Sequence, residues 1–160
     1  MQQYEREYYD ARHVCYAYML GPGRENFRAV DNGEPSGTAG KPILGQINKN
    51  ELTNILVIVV RYLGGIKLGT SGLTNAYKQA TIEALTAAEI EERTVDVEIN
   101  ITFEYPLMND VMRVIKDFSP NILRQDFQLT CALQVSIRQG EAQNLIARLE
   151  KIRGVTTETN

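Results

Sequence analysis

The chain has no tryptophan, a single histidine, two cysteines and no excess of positive charge. Each scarcity removes a class of function. One histidine, His13, leaves no nucleophile, base and orienting group that could be assembled around imidazole chemistry. Lys and Arg number 17 against 20 Asp and Glu, for a net charge of −3 and a pI near 5.3, whereas generic nucleic-acid binders carry a strong basic excess. Neither half hides one: 10 basic and 11 acidic residues run to Arg93, then 7 and 9 beyond it. Any nucleic-acid contact must therefore come from a local patch or from complementary shape. Cys15 and Cys131 stand far apart in strand-like runs, as buried free thiols usually do, which reads as a reducing cytoplasm. No apolar run approaches the roughly 20 residues of a membrane span. The first residues, Met1-Gln-Gln-Tyr-Glu-Arg-Glu, have no apolar signal core.

What is present is an ordinary globular composition, 43% hydrophobic and 23% charged, over 160 residues, enough for one domain or two small ones. Residues 54–93 organise the rest. Ile55 to Val60 is six consecutive β-branched or leucine residues, suited to a strand covered on both faces. It stops at Gly64-Gly65, and Gly69 and Gly72 bracket Thr70-Ser71 just before a helix. From Leu73 the apolar positions Ala76, Tyr77, Ala80, Ala84, Leu85, Ala87 and Ala88 follow the three-and-four spacing of one buried helix face. A strand that feeds a glycine loop and then a helix N-terminus suits an anion, because free N–H groups and the helix dipole point at the loop. Arg61 and Lys67 would supply charge beside it. The loop is neither a Walker pattern nor a dinucleotide fingerprint, and a tight turn alone accounts for the glycines equally well.

Residues 12–19 read as a strand with His13, Cys15 and Ala17 on one face and Val14, Tyr16 and Tyr18 on the other. Gly21-Pro22-Gly23 is a turn, and Phe27 to Val30 pairs back as a hairpin arm. His13 and Cys15 share a face, but two ligands do not make a zinc site and a cysteine nucleophile needs a lowered pKa. A partly buried histidine in a sheet is the favoured reading. Residues 31–44, Asp-Asn-Gly-Glu-Pro-Ser-Gly-Thr-Ala-Gly-Lys-Pro-Ile-Leu, interleave Gly33, Gly37, Gly40 and Pro35 with Asp31, Glu34, Ser36, Thr38 and Lys41. Such a loop is a strained connection or a binding surface. Thr38 is read as the N-cap of a short helix to about Lys49, with Ile43, Leu44 and Ile47 buried. Asp31 and Glu34 are weak candidates for holding a divalent cation, against the plainer reading that they cap turns and helix ends.

After the charged run Glu89-Ile-Glu-Glu-Arg the pattern changes. Val95, Val97, Ile99, Ile101 and Phe103 alternate with polar residues, a strand with one wet face. Leu107, Val111, Val114, Ile115 and Phe118 mark a helix ending near Ser119-Pro120. A short strand follows over Ile122 to Asp126, then an alternating strand from Phe127 to Ile137. A helix carries Leu145, Leu149 and Ile152, and a last edge strand follows Gly154. The order β-α-β-β-α-β is the ferredoxin-like split motif. The chain is thus expected to be α+β, with domains 1–93 and 94–160, and no convergent catalytic set in the second.

Three stretches, Asp10-Ala-Arg-His-Val-Cys-Tyr-Ala-Tyr, Asp31 to Leu44, and Val60-Arg-Tyr-Leu-Gly-Gly-Ile-Lys-Leu-Gly-Thr-Ser-Gly-Leu-Thr-Asn-Ala-Tyr, closely resemble signatures of the IMPACT/YigZ family. The second half resembles the C-terminal domain of its bacterial members. The resemblance implies a ribosomal protein S5 domain 2-like fold followed by a ferredoxin-like domain like those of elongation factor G. It also implies a cytoplasmic connection to translation or RNA, without an established catalytic activity. Eukaryotic members point to competition for the activator of a stress-responsive initiation-factor kinase, a partner that does not transfer to bacteria. Two departures stand out. Only nine residues precede Asp10, so the resemblance reads a first strand and helix as missing, which would expose a sheet edge, and the chain as a fragment or an internal start. Ser71 and Thr74-Asn75 stand where the family commonly has Gly and Val-Arg, which removes one candidate phosphate contact.

Two functional readings result. The first is a translation-associated module that binds RNA, the ribosome or a translation factor through Arg61, Lys67, Lys41 and Lys78 around Gly64, Gly65, Gly69, Thr70, Ser71 and Gly72. The second is a nucleotide- or phosphate-binding enzyme in which that loop holds phosphate and Asp31 or Glu34 holds Mg²⁺. The first is favoured, with no cofactor and no catalytic residues assigned.

Overall fold

The computed structural model describes residues 1–62 and 66–160, and the chain falls into two compact units, Met1–Ile90 and Glu91–Asn160. The boundary lies in the charged run after the long helix, where nothing is left to bury: Ile90 is 56% exposed.

The first unit contains α1 (Gln2–Glu7), β1 (His13–Leu20), β2 (Asn26–Val30), α2 (Gly40–Lys49), β3 (Ile55–Arg61) and α3 (Gly69–Ala87). Its sheet has the order β2-β1-β3, with β1 antiparallel to both neighbours. Cys15, Ala17 and Met19 face Val59, Val57 and Ile55 across β1 and β3. That face is covered by Ile43 and Ile47 of α2 and Tyr77 and Leu85 of α3.

Three expectations are corrected here. The apolar run Ile55 to Val60 is not covered on both faces. Among the described residues β3 is an edge strand whose only buried residue is Val57, and Leu56 is 47% exposed. Both helices lie on one side of the sheet, so hydrophobicity alone overstated its burial. The helix expected from Leu73 begins at Gly69, because first-turn residues need no buried partner and leave no periodic trace. Its buried stripe is Tyr77, Thr81 and Leu85, not the alanines; Ala76, Ala84, Ala87 and Ala88 face solvent, where alanine is simply the best helix former. Thr81 lies in the core because its hydroxyl donates to the Tyr77 carbonyl one turn back, at 2.8 Å.

The far end of this sheet is closed by backbone capture. The Gly21 N–H donates to Asn54 Oδ1 at 2.9 Å and Arg24 Nε donates to the Leu52 carbonyl at 3.2 Å.

The second unit runs β4 (Asp96–Glu104), a 3-10 turn at Tyr105–Leu107, α4 (Met108–Phe118), β5 (Asn121–Phe127), β6 (Thr130–Arg138), α5 (Gln139–Glu150) and β7 (Thr156–Thr159). The sheet order is β5-β6-β4-β7, antiparallel throughout. Ile99, Ile101 and Phe103 pair with Val135, Leu133 and Cys131. Val111, Val114 and Ile115 of α4 and Ala142, Leu145 and Leu149 of α5 cover them. α4 stops at Ser119, left-handed at φ 49°, just before Pro120. Val95, expected in the strand, precedes it and is 42% exposed. Together the two units make a mixed α+β protein with two antiparallel sheets.

Gly40 sets how closely α2 approaches β2. A Cβ there would run into the Val30 backbone nitrogen and lie 2.8 Å from the Ala29 carbonyl carbon. Gly40→Ala is expected to cost about 2 kcal/mol or more through this backbone collision, read as a lower urea midpoint at unchanged m-value. Gly45→Ala, where nothing lies within 4 Å, should be neutral or slightly stabilising.

Candidate functional site

Strand register decides which polar groups meet. His13 opens β1 and Arg61 closes β3, and the two are direct cross-strand partners. Cys15 lies two residues along β1 on the same face. β2 ends at Val30, opposite Tyr16, so the loop of residues 31–39 leaves from this same end of the sheet. α3 lays Tyr77, 1% exposed, against that face.

Glu34 is the centre. Its side chain is 2% exposed and is reached from three elements. Arg61 Nε donates to Oε1, Tyr77 Oη donates to Oε1 at 2.8 Å, and His13 Nε2 lies 3.8 Å from Oε2. His13 Nδ1 is 2.8 Å from the Asn32 carbonyl, and Asn32 Nδ2 donates to the Val14 carbonyl at 3.0 Å. The one proton of the Cys15 thiol lies between the Asp31 carbonyl at 2.9 Å and Tyr77 Oη at 3.3 Å.

Asp31 plays a separate part. Its carboxylate accepts the N–H groups of Gly37 at 2.8 Å, Ala39 at 3.1 Å and Gly40 at 2.9 Å, and so caps α2 from outside the helix. Thr38, expected to be the cap, is not: its hydroxyl donates to the Pro35 carbonyl at 2.6 Å, and α2 has Ala39 at its N-cap without a side-chain bond of its own. The cap is non-local because the loop turns back on itself. Gly37 (φ 76°) and Gly33 (φ 84°) supply left-handed backbone, and a Cβ at Gly33 would press to 3.3 Å from the His13 ring.

The electrostatics follow from these contacts. Burial pushes the Glu34 carboxyl up, but the hydrogen bonds from Arg61 and Tyr77 outweigh it and hold it below its ordinary value. Asp31 is likewise pushed up by burial and brought below its ordinary value by the N–H groups of Gly37, Gly40 and Ala39. Burial raises the Cys15 thiol and the Tyr77 hydroxyl. At neutral pH the cluster is therefore one carboxylate–guanidinium pair with a neutral thiol and phenol hydrogen-bonded around it. A raised thiol is the opposite of what a cysteine nucleophile requires, and both ring nitrogens of His13 face groups other than Cys15.

The sequence-assigned residues separate into two sets. Asp31, Gly33, Glu34, Pro35, Gly37, Thr38 and Gly40 build the capped loop, while Ser36 is exposed. Asp31 and Glu34 address different partners and do not aim at one point. Among the described residues no three His, Cys, Asp or Glu side chains gather where they could hold a metal. Arg61 is engaged by Glu34. Lys41 is exposed in the first turn of α2, Lys67 is exposed before α3, and Lys78 is exposed along α3. Gly69, Thr70, Ser71 and Gly72 form the first turn of α3 and not a loop before it. Gly64 and Gly65, with Leu63, lie outside the described residues. Sequence reasoning missed Tyr77 and Asn32. A tyrosine in a buried helical stripe needs a partner for its hydroxyl, and that signal was available.

The two helices also run the same way, since the C-terminal parts of α2 (Gln46, Lys49, Asn50) and α3 (Ile82, Leu85, Thr86) line one shared pocket. Both N-termini therefore point to the Glu34 end. That of α2 is filled by Asp31. Among the described residues that of α3 receives no side-chain cap, and Lys67, Gly69, Thr70 and Ser71 are exposed around it.

The profile of the Impact N-terminal domain matches residues 1–85. The chain is 33% identical over 145 residues to the IMPACT family member YigZ of Escherichia coli (strain K12), covering 89% of this chain and 71% of that protein. It is 34% identical over 137 residues to an IMPACT family member of Haemophilus influenzae, covering 84% of this chain and 66% of that one. The crystal structure of a hypothetical protein matches with a TM-score of 0.63 at 31% identity, over 99% of this chain and 78% of its own.

Glu34→Gln keeps the shape but removes the charge facing Arg61 and is expected to cost about 2 kcal/mol at neutral pH. Glu34 and Asp31 both lie below their ordinary values when folded, so the unfolded chain takes up protons first as pH falls. Their contribution is complete above the unfolded carboxylate range near 4 and is lost on acidification through the lower folded values. Urea titrations at several pH values should show the parent losing stability below about pH 5, with a shallower loss for Glu34→Gln.

Proposed function

The chain belongs to the IMPACT family, and on that premise we propose that it is a translation-associated binding module. Its first unit would contact the phosphates of RNA, or an acidic segment of a translation factor, at the N-terminus of α3. The observation that carries this reading is the asymmetry between two co-directed helix starts: α2 is closed by Asp31, while α3 receives no side-chain cap among the described residues and is flanked by Lys67, Thr70 and Ser71. Free N–H groups at a helix start attract an anion without any excess of basic residues, which reconciles such binding with a net charge of −3. Lys67, Lys41 and Lys78 are the charged contacts, and Arg61 serves by fixing the loop through Glu34.

We propose likewise that the first domain is S5 domain 2-like and the second ferredoxin-like. The βαββαβ order and the strand order β5-β6-β4-β7 support a ferredoxin-like second domain similar to those of elongation factor G. A three-stranded sheet with two helices on one face supports an S5 domain 2-like first domain. Two free buried cysteines fit a cytoplasmic protein. The alternative, a Mg²⁺-dependent nucleotide enzyme, is weaker because Asp31 and Glu34 are both already engaged by protein groups.

Fluorescence anisotropy with short single-stranded RNA at several salt concentrations tests the reading. Binding should weaken with salt, and Lys67→Ala should lower both the affinity and the salt slope, the latter by about one unit. Thr70→Asp, which places a negative charge in the open first turn, should weaken binding further. Salt-insensitive affinity, or Lys67→Ala and Thr70→Asp both binding like the parent, would remove the α3 site. Thermal stabilisation by one nucleotide only with Mg²⁺ would favour the enzyme instead.

A further inference from the structure

β5 is the outer strand of the second unit's sheet. Among the described residues it pairs with β6 alone, and all seven of its residues are exposed. Its outer row of backbone N–H and C=O groups is a template for another strand, and the strand contains no proline to interrupt that row. Ile122, Leu123 and Phe127 on it are 45%, 50% and 38% exposed. The opposite edge, β7, has four residues, three of them threonine.

The charge pattern of β5 selects what can pair with it. Arg124 and Asp126 lie opposite Gln134 and Ala132, on the sheet face turned away from the helices, while Gln125 and Phe127 lie opposite Leu133 and Cys131 on the helix side. A register shift between Ile122 and Arg124 leaves Leu123 without a partner in β6. Asp126 accepts one bond, from exposed Gln128 at 3.3 Å, and Arg124 makes no ion pair among the described residues.

A second copy related by a two-fold axis normal to the sheet would add its own β5 antiparallel and keep each face continuous. Directly opposed residues must then share a face, which leaves few registers. Centring on Arg124 opposes two arginines and sets Ile122 against Asp126. Centring on Asp126 opposes two carboxylates. Centring on Gln125 sets Arg124 against Asp126 twice and Leu123 against Phe127 twice. Only the last pairs opposite charges and apolar groups together. We propose that β5 is a self-association edge, which takes β5 of a second copy with Gln125 on the axis and joins two four-stranded sheets into one of eight.

Sedimentation equilibrium of the full chain over a wide concentration range tests this. The parent should form a reversible dimer. Arg124→Asp or Asp126→Arg alone places like charges opposite each other twice and should weaken the dimer by about tenfold or more. The double variant Arg124→Asp with Asp126→Arg restores complementary pairs at unchanged net charge and should return to the parent's dissociation constant. That recovery separates pairing from any effect on folding. A parent that stays monomeric throughout, single reversals that dimerise like the parent, or a double variant that does not recover would each overturn the proposal.

Discussion

A carboxylate whose side chain is 2% exposed cannot remain charged without partners, and the first unit is arranged around supplying them to Glu34. The partners come from β1, β3 and α3 through His13, Arg61 and Tyr77. The pair therefore joins elements that are far apart in sequence and holds the loop of residues 31–39 against the end of the sheet. Breaking it would leave a buried charge, so the loop has one stable position, not several. Asp31 complements this by taking the backbone N–H groups that the turn into α2 would otherwise leave unsatisfied. One acid fixes side chains and the other fixes backbone.

This division has a functional consequence. The motif with the most chemical character, Asp31 to Gly40 with His13, Cys15 and Arg61, is largely consumed in holding itself together. Its thiol and phenol are kept neutral by burial. What faces solvent at the same end is plainer: lysines, two hydroxyls and a helix start with no side-chain cap among the described residues. The second unit contributes a different resource. The face of its sheet turned from the helices carries Glu98, Asn100, Thr102 and Glu104 on β4.

Both sheets were legible in the sequence to different depths, and the reason is locality. In the second unit Ile99, Ile101 and Phe103 alternate with polar residues because one face is wet, and the helices on the other face carry a matching apolar stripe. Periodicity then reports burial directly. In the first unit the signals mislead. The run Ile55 to Val60 looks doubly covered although both helices lie on one side. The alanines of α3 look buried although they face water, and Thr81 looks exposed although its hydroxyl is satisfied within the helix. Thr38 has the composition of a cap, yet a residue eight or nine positions from the capped amides does the work.

The residues themselves therefore determined the family, the α+β character and nearly every element, since propensity, alternation and turn chemistry act over a few neighbours. The cap of α2, the partners of Glu34 and the shared direction of α2 and α3 were decided only by the tertiary fold. Each depends on which strand ends meet, and that follows from the register of β1 against β3, which brings His13 beside Arg61, 48 positions further along the chain. No short stretch of sequence encodes such a meeting, because the attraction between a buried acid and its arginine operates only after the chain has brought them together.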